Sequence, residues 1–228
     1  MVFVSCSKDD DNDVTKGVNG ERLVNSLTYT SDDESYTNKY EYDKQGRITK
    51  LESTETYNNE TNVYYSFYTY EKNKIVVDDD GDKYIYTLND KGLIIKSADA
   101  EYGDIDYQYN EQDQLIRTTG DEKMTFTWGN GNITKQVANW GTSTYTYNQN
   151  ENKNIDINHF TENIPDNILF SYGYFGTKNK NLMTSREMGN KYTYEYEFDK
   201  DGNVIKMQEY RMENETKVLK STRTIEYK

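Results

Sequence analysis

His159 is the one imidazole in this 228-residue sequence, and Cys6 is the one thiol. A Ser–His–carboxylate relay would have to use His159, which sits between Asn158 and Phe160 in a polar stretch. No Gly-x-Ser-x-Gly elbow presents a nucleophile to it. A single histidine is more often structural than catalytic. Forty Asp and Glu supply carboxylates in excess for glycoside hydrolysis. That mechanism is decided by the separation of two of them in space, and the sequence singles out no pair. Asp78-Asp79-Asp80-Gly81-Asp82 and Asp199-Lys200-Asp201-Gly202-Asn203 have the oxygen density of calcium loops. Neither closes on a Glu or lies between helices, so acidic hairpin turns account for both. One cysteine excludes an intrachain disulfide and a thiolate zinc site. The expectation is a non-enzymatic chain with no catalytic residue, no metal and no cofactor.

The chemistry that remains is recognition by aromatic rings. Tyr and Trp faces stack on sugar rings, while Asn and Asp bond hydroxyls. The chain has 23 Tyr, 7 Phe and 2 Trp. Most belong to a repeat that needs them for structure. Trp140, Tyr172, Tyr174 and Phe175 stand outside it and are the candidate ligand-binding residues. The competing role for these four is to pack an insert onto a sheet, as buried aromatics commonly do.

The elements that must position them come from internal self-similarity. Tyr40-Glu41-Tyr42-Asp43-Lys44-Gln45-Gly46-Arg47-Ile48-Thr49-Lys50 is the clearest unit, and it recurs at Tyr84–Lys96, Tyr107–Arg117, Phe126–Lys135 and Tyr194–Lys206. Tyr145-Thr146-Tyr147-Asn148 begins another copy that decays. Aromatics alternate with Glu, Thr or Gln, the period of a half-buried strand. Asp or Asn then opens a turn, Gly supplies positive φ, and a branched aliphatic residue begins the return strand. Each unit is therefore a hairpin of about twenty residues, and the series is an antiparallel meander. The predicted fold is all-β: a soluble barrel or half-barrel, because the polar outward positions lack the lipid-facing apolar band of a membrane barrel. From Asn152 to Asn190 the unit disappears. A short helical insert is expected near 164–172, with Pro165 at its start, plugging or covering one end of the sheet.

Only 33% of residues are hydrophobic, a level at which disorder is a real alternative. The patterned aromatics and the single proline argue against it. A formal net charge of -13 repels phosphate backbones, so no nucleic-acid partner is expected.

The amino terminus reads as an address. Val2-Phe3-Val4 leads through Ser5 to Cys6, then to Ser7-Lys8-Asp9-Asp10-Asp11. This resembles the end of a bacterial lipoprotein signal, with Cys6 as the lipidated residue. The Ser-Lys-Asp-Asp run resembles the surface-export signal of Bacteroides-type lipoproteins. The apolar run is shorter than a secretory h-region, so the precursor is expected to start upstream or the chain to be truncated. Residues 1–20 are then signal remnant and tether, and 21–228 form one β-repeat domain.

Together with Tyr174-Phe175-Gly176-Thr177-Lys178-Asn179-Lys180-Asn181-Leu182, these features resemble an uncharacterised family of Bacteroides lipoproteins with a porin-like β-barrel fold. The hairpins are also similar to the YD repeats of bacterial surface and toxin-shell proteins. The resemblance implies a fold and an outer-membrane, surface-exposed location, with the membrane reached through a lipid anchor at Cys6. The leading functional expectation is a surface-displayed, non-enzymatic binding module for glycans. The alternative is a structural or interaction subunit docking on another outer-membrane protein. A hydrolase ranks third.

Overall fold

The computed structural model describes residues 16, 20–58, 60–99, 103–121, 123–153, 167–214 and 216–228. Cys6, His159 and Pro165 lie outside them. The described residues form sixteen strands and one short helix. In chain order the strands are β1 (Val24–Ser31), β2 (Glu34–Tyr42), β3 (Ile48–Tyr57), β4 (Glu60–Glu71), β5 (Lys74–Asp79), β6 (Asp82–Leu88), β7 (Ile94–Asp99) and β8 (Gly103–Tyr109). They continue as β9 (Leu115–Gly120), β10 (Met124–Gly129), β11 (Asn132–Ala138), β12 (Gly141–Glu151), β13 (Asn181–Met188), β14 (Asn190–Phe198), β15 (Val204–Glu213) and β16 (Thr216–Tyr227). Helix α1 (Asn167–Ser171) falls between β12 and β13. Each strand pairs antiparallel with its sequence neighbours, and β1 pairs with β16, so the meander closes into a barrel. Closure satisfies both strand edges that an open sheet would leave bare.

The repeat explains itself in the turns. Asp43 Oδ1 accepts the backbone N–H groups of Gln45 and Arg47 at 2.9 and 3.0 Å. Asn89, Asn110 and Asp199 hold their own turns in the same way. The fourth turn residue takes positive φ: Gly46 at 76°, and Asp113 at 56° in the copy that lacks Gly. A one-residue register shift precedes each of these turns, as at Glu41/Tyr42 and Gln108/Tyr109. It falls at the last aromatic of the strand at Tyr42 and Tyr109, whereas Phe198 at the β14 shift is exposed.

Aromatics near the strand ends have a further task. Tyr42 Oη donates to the Val24 carbonyl at 2.9 Å, and Tyr109 Oη to that of Ile94 at 2.6 Å. Trp128 Nε1 bonds the Leu115 carbonyl at 2.8 Å. Tyr147, Tyr196 and Tyr227 bond those of Ile133, Met183 and Val204 at 2.6, 2.6 and 2.8 Å. Each bond ties the end of one strand to the start of the strand before it. The second aromatic of the Tyr-x-Tyr-Asp unit is thus a register clamp, and the aliphatic residue after the turn supplies its acceptor.

The inward face carries the core: Leu27, Tyr40, Tyr68, Ile75, Tyr86, Tyr107, Phe126, Tyr145, Tyr194, Met207 and Ile225 are all buried. The outward face carries cross-strand ion pairs such as Lys50–Glu41 at 3.3 Å, Lys206–Glu197 at 2.7 Å and Lys39–Glu52 at 3.6 Å. Exposed pairs of this kind add little stability, but they put charged side chains on the outer wall. This is the reverse of a lipid-spanning barrel, whose apolar band faces outward. Some large apolar side chains are also exposed on this wall, among them Val63, Tyr65 and Phe67 on β4.

The insert plugs one end, as expected. It enters at the end that holds the Asp and Asn turns. Leu169 and Phe175 are fully buried, and the Phe175 ring meets the Tyr86 and Tyr107 rings edge-on at 6.3 and 5.1 Å. Its backbone is stitched to three hairpins. Ile94 N–H donates to the Tyr174 carbonyl, Thr177 N–H to that of Asp113 and Lys180 N–H to that of Gly131. Gly176 makes the closest approach. At φ +85°, a Cβ there would sit 2.1 Å from the Asp113 carbonyl oxygen. The described helix spans Asn167–Ser171 within the expected 164–172. The insert is shorter than the break in the repeat, however, because Asn181–Met188 is a barrel strand. It buries Leu182 and Met183 instead of alternating tyrosines, so it carries no repeat signature.

Candidate functional site

The two ends of the barrel differ. Trp140, in the β11–β12 turn, lies at the end opposite the plug, while Tyr172, Tyr174 and Phe175 belong to the plug itself. The structure therefore does not bring the four residues together. Phe175 is fully enclosed. Tyr172 is buried with its hydroxyl 2.8 Å from that of Tyr42, and burial pushes its phenol up to about 12. Tyr174 packs near Tyr70 with ring centroids 6.1 Å apart, and burial raises its phenol too. These three seal the barrel. Trp140 is 43% exposed at the open mouth.

The open mouth is where polar side chains point inward. The strand registers lay them out in rows. Arg186, Tyr192 and Arg211 align across β13, β14 and β15. Tyr194, Glu209 and Ser221 form the next row. Met207, Arg223, Tyr29, Tyr36 and Glu55 run from β15 through the closing seam to β3. Below them lie Leu27, Asn38, Ser53 and Tyr64. Buried Met207, Ile225 and Leu27 lie on the same strand faces as Arg223 and Tyr29, which sets their inward direction. Tyr64 is 40% exposed although it faces the lumen, so this end is reached by water.

The geometry within the rows is close. Tyr29 and Tyr36 stack with centroids 4.8 Å apart and planes 12° from parallel. The Arg223 guanidinium lies over the Tyr29 ring at 4.9 Å, and that of Arg186 over Tyr192 at 5.0 Å. Such cation–π contacts favour arginine with its planar group. Arg211 is ion-paired with Glu213. Arg223 is only 7% exposed. Its Nη1 reaches Ser221 Oγ at 3.4 Å, and its Nε has no acceptor. Asn38 Oδ1, two strands away, is enclosed without a donor. Burial raises the Tyr36 phenol, and the Arg223 guanidinium beside it works in the opposite sense. Burial also raises Tyr194, assisted by the Glu209 carboxylate and opposed by Arg186 and Arg223.

No motif in the sequence marks these arginines. Six arginines occur in the chain, and three of them face this mouth. The available signal was parity. Ser221, Arg223 and Ile225 fall on one side of β16, so Arg223 shares a face with an apolar residue instead of with Thr222 and Thr224. Trp140 adjoins the same region, since a Cβ on its neighbour Gly141 would lie 3.6 Å from Met188 Sδ, two residues beyond Arg186.

The acidic loops serve the fold. Asp78 Oδ1 accepts the Gly81 N–H, and Asp79 Oδ1 accepts the Ser66 hydroxyl. Among the described residues no group of three or more His, Cys, Asp or Glu is arranged to hold a metal ion.

A family model described as a domain of unknown function (DUF4595) with porin-like fold matches residues 40–206. No curated protein matches the chain. Among solved structures, a porin-like protein from Bacteroides uniformis ATCC 8492 superposes with a TM-score of 0.72 at 18% identity, covering 91% of this chain and 99% of that one. A porin-like protein from Bacteroides vulgatus ATCC 8482 gives 0.57 at 17% identity, covering 90% and 98%. At these identities the likeness is one of fold.

Proposed function

The chain belongs to the DUF4595 family, of unknown function and porin-like fold, and we propose that it is a non-enzymatic binding protein, displayed on the outer membrane from a lipid on Cys6, that takes glycans in its open mouth. One observation carries the reading. Tyr29, Tyr36, Tyr64 and Tyr192 line that mouth, interleaved with Arg186, Arg211, Asn38, Glu55 and Glu209. Ring faces beside fixed donors and acceptors are what a saccharide needs, since its ring stacks while its hydroxyls bond. The opposite end is filled by the plug.

The test is thermal unfolding of residues 21–228 against a panel of polysaccharides and mucin glycans. A glycan held by the native state adds about 2.7 kcal/mol at a hundred times its Kd, and so raises Tm. The rise is expected with particular saccharides only, and Tyr36→Ala abolishes it. Silence across the panel would remove the glycan reading. It would favour a second one, docking on another outer-membrane protein through the exposed Val63, Tyr65 and Phe67 patch. The address has its own test. Cys6→Ser is expected to move the protein from the membrane to the soluble fraction, and retention in the membrane would overturn the anchor.

A further inference from the structure

Arg223 is a buried cation inside an acidic protein that leaves it without a counter-ion. Among the described residues, no carboxylate lies within ion-pair distance of it, although the chain contains 40. Glu209, in the adjoining row, acts on Tyr194. A buried charge is costly unless it is paired. Here the guanidinium is held instead by the Tyr29 ring on one face and by Ser221. The Nε–H, which lies on the edge a carboxylate or sulfate engages side-on, has no acceptor. Asn38 Oδ1 in the neighbouring row lacks a donor. One ligand carrying both an anionic group and a hydroxyl would complete both.

We propose that the arginine face of the open mouth is an anion subsite: Arg223, flanked by Arg186 and Arg211, takes the carboxylate or sulfate of an acidic sugar, and Asn38 accepts a hydrogen bond from a hydroxyl of that sugar. This rests on the glycan-binding reading and narrows it to acidic saccharides. The Tyr29 ring lies over the Arg223 guanidinium and would have to move for the group to reach it. The overall charge of -13 opposes approach from afar. At physiological salt that field is screened within about 8 Å, and at contact Arg223 acts as the guanidinium that no carboxylate pairs among the described residues.

The experiment compares three monosaccharides matched except in charge. Glucuronate, glucose 6-sulfate and glucose are titrated at constant ionic strength into the wild type, Arg223→Gln and Arg186→Gln, with Tm as readout. The wild type is expected to be stabilised by one or both charged sugars and to bind them about 10–100-fold more tightly than glucose, the range for a charge-assisted hydrogen-bonded contact. Arg223→Gln should remove that difference. If it fails to fold, the partly exposed Arg186→Gln should reduce it. Preference for glucuronate over glucose 6-sulfate, or the reverse, identifies the group. An equal rise with glucose would overturn the anion subsite while leaving sugar binding in place. No rise with any of the three would also overturn the subsite, and the polysaccharide panel decides the wider reading separately.

Discussion

Truncating Phe175 to alanine is expected to lower the unfolding free energy by about 3–5 kcal/mol, the usual cost of emptying a buried aromatic site. Phe175 is fully buried and meets three rings, those of Tyr86, Tyr107 and Phe170, the last at 6.1 Å. Tyr86 and Tyr107 stand on barrel strands and Phe170 on the insert, so the ring couples plug to wall. In a domain of this size the loss corresponds to a Tm lower by roughly 10 °C. Trp140→Ala is the control. Its side chain is exposed in a turn, and its removal should stay within about 0.5 kcal/mol. Urea denaturation of both variants checks the pair. A Phe175→Ala barrel as stable as the wild type would mean that the insert is dispensable to the core.

Alkali should unfold the barrel steeply. Tyr42, Tyr109, Tyr172 and Tyr194 are all raised above the ordinary phenol value of 10.0, with burial the first cause in each. For such groups the folded state binds the proton more tightly than the unfolded one. Their contribution is fully present below pH 10 and is lost as pH rises toward the folded values. Tyr172 alone, raised to about 12, accounts for roughly 3 kcal/mol of this loss. Stability is therefore expected to be level up to about pH 10 and to fall sharply above it. Tyrosinate absorbance from Tyr42, Tyr109, Tyr172 and Tyr194 should appear together with unfolding. A single smooth titration with circular dichroism unchanged would contradict the burial on which this rests.

The barrel was legible because its repeat states the same instruction many times. Alternation gave the strands, Asp43 and Asp199 with Gly46 and Gly202 gave the turns, and the unit length gave the meander. The second tyrosine of each unit was visible, but its purpose was not. A bond from Tyr147 to the Ile133 carbonyl spans two strands and exists only once the register is set. Closure was equally hidden, because nothing local in Val24–Ser31 says that its partner is Thr216–Tyr227. The plug is the insert that the break in the repeat predicts, and Tyr172 and Phe175 take the packing role that the sequence set beside ligand binding. The mouth went unseen for the opposite reason. Arg186, Arg211 and Arg223 lie apart in sequence, and only the barrel's rows bring them to one wall.

The seam between β1 and β16 also sets the order of assembly. Every other strand pairing joins neighbours in the chain, so hairpins can zip as they emerge. Ser26 and Glu226 must meet across nearly the whole polypeptide. Until the last strand is available, β1 keeps a bare edge, and the sheet behind it is a growing ribbon open to any strand that comes near. Arg223 lies in that last strand. Arg223 therefore takes its place only when the ring shuts, so the arginine wall is finished by the same event that ends the chain's exposure to aggregation.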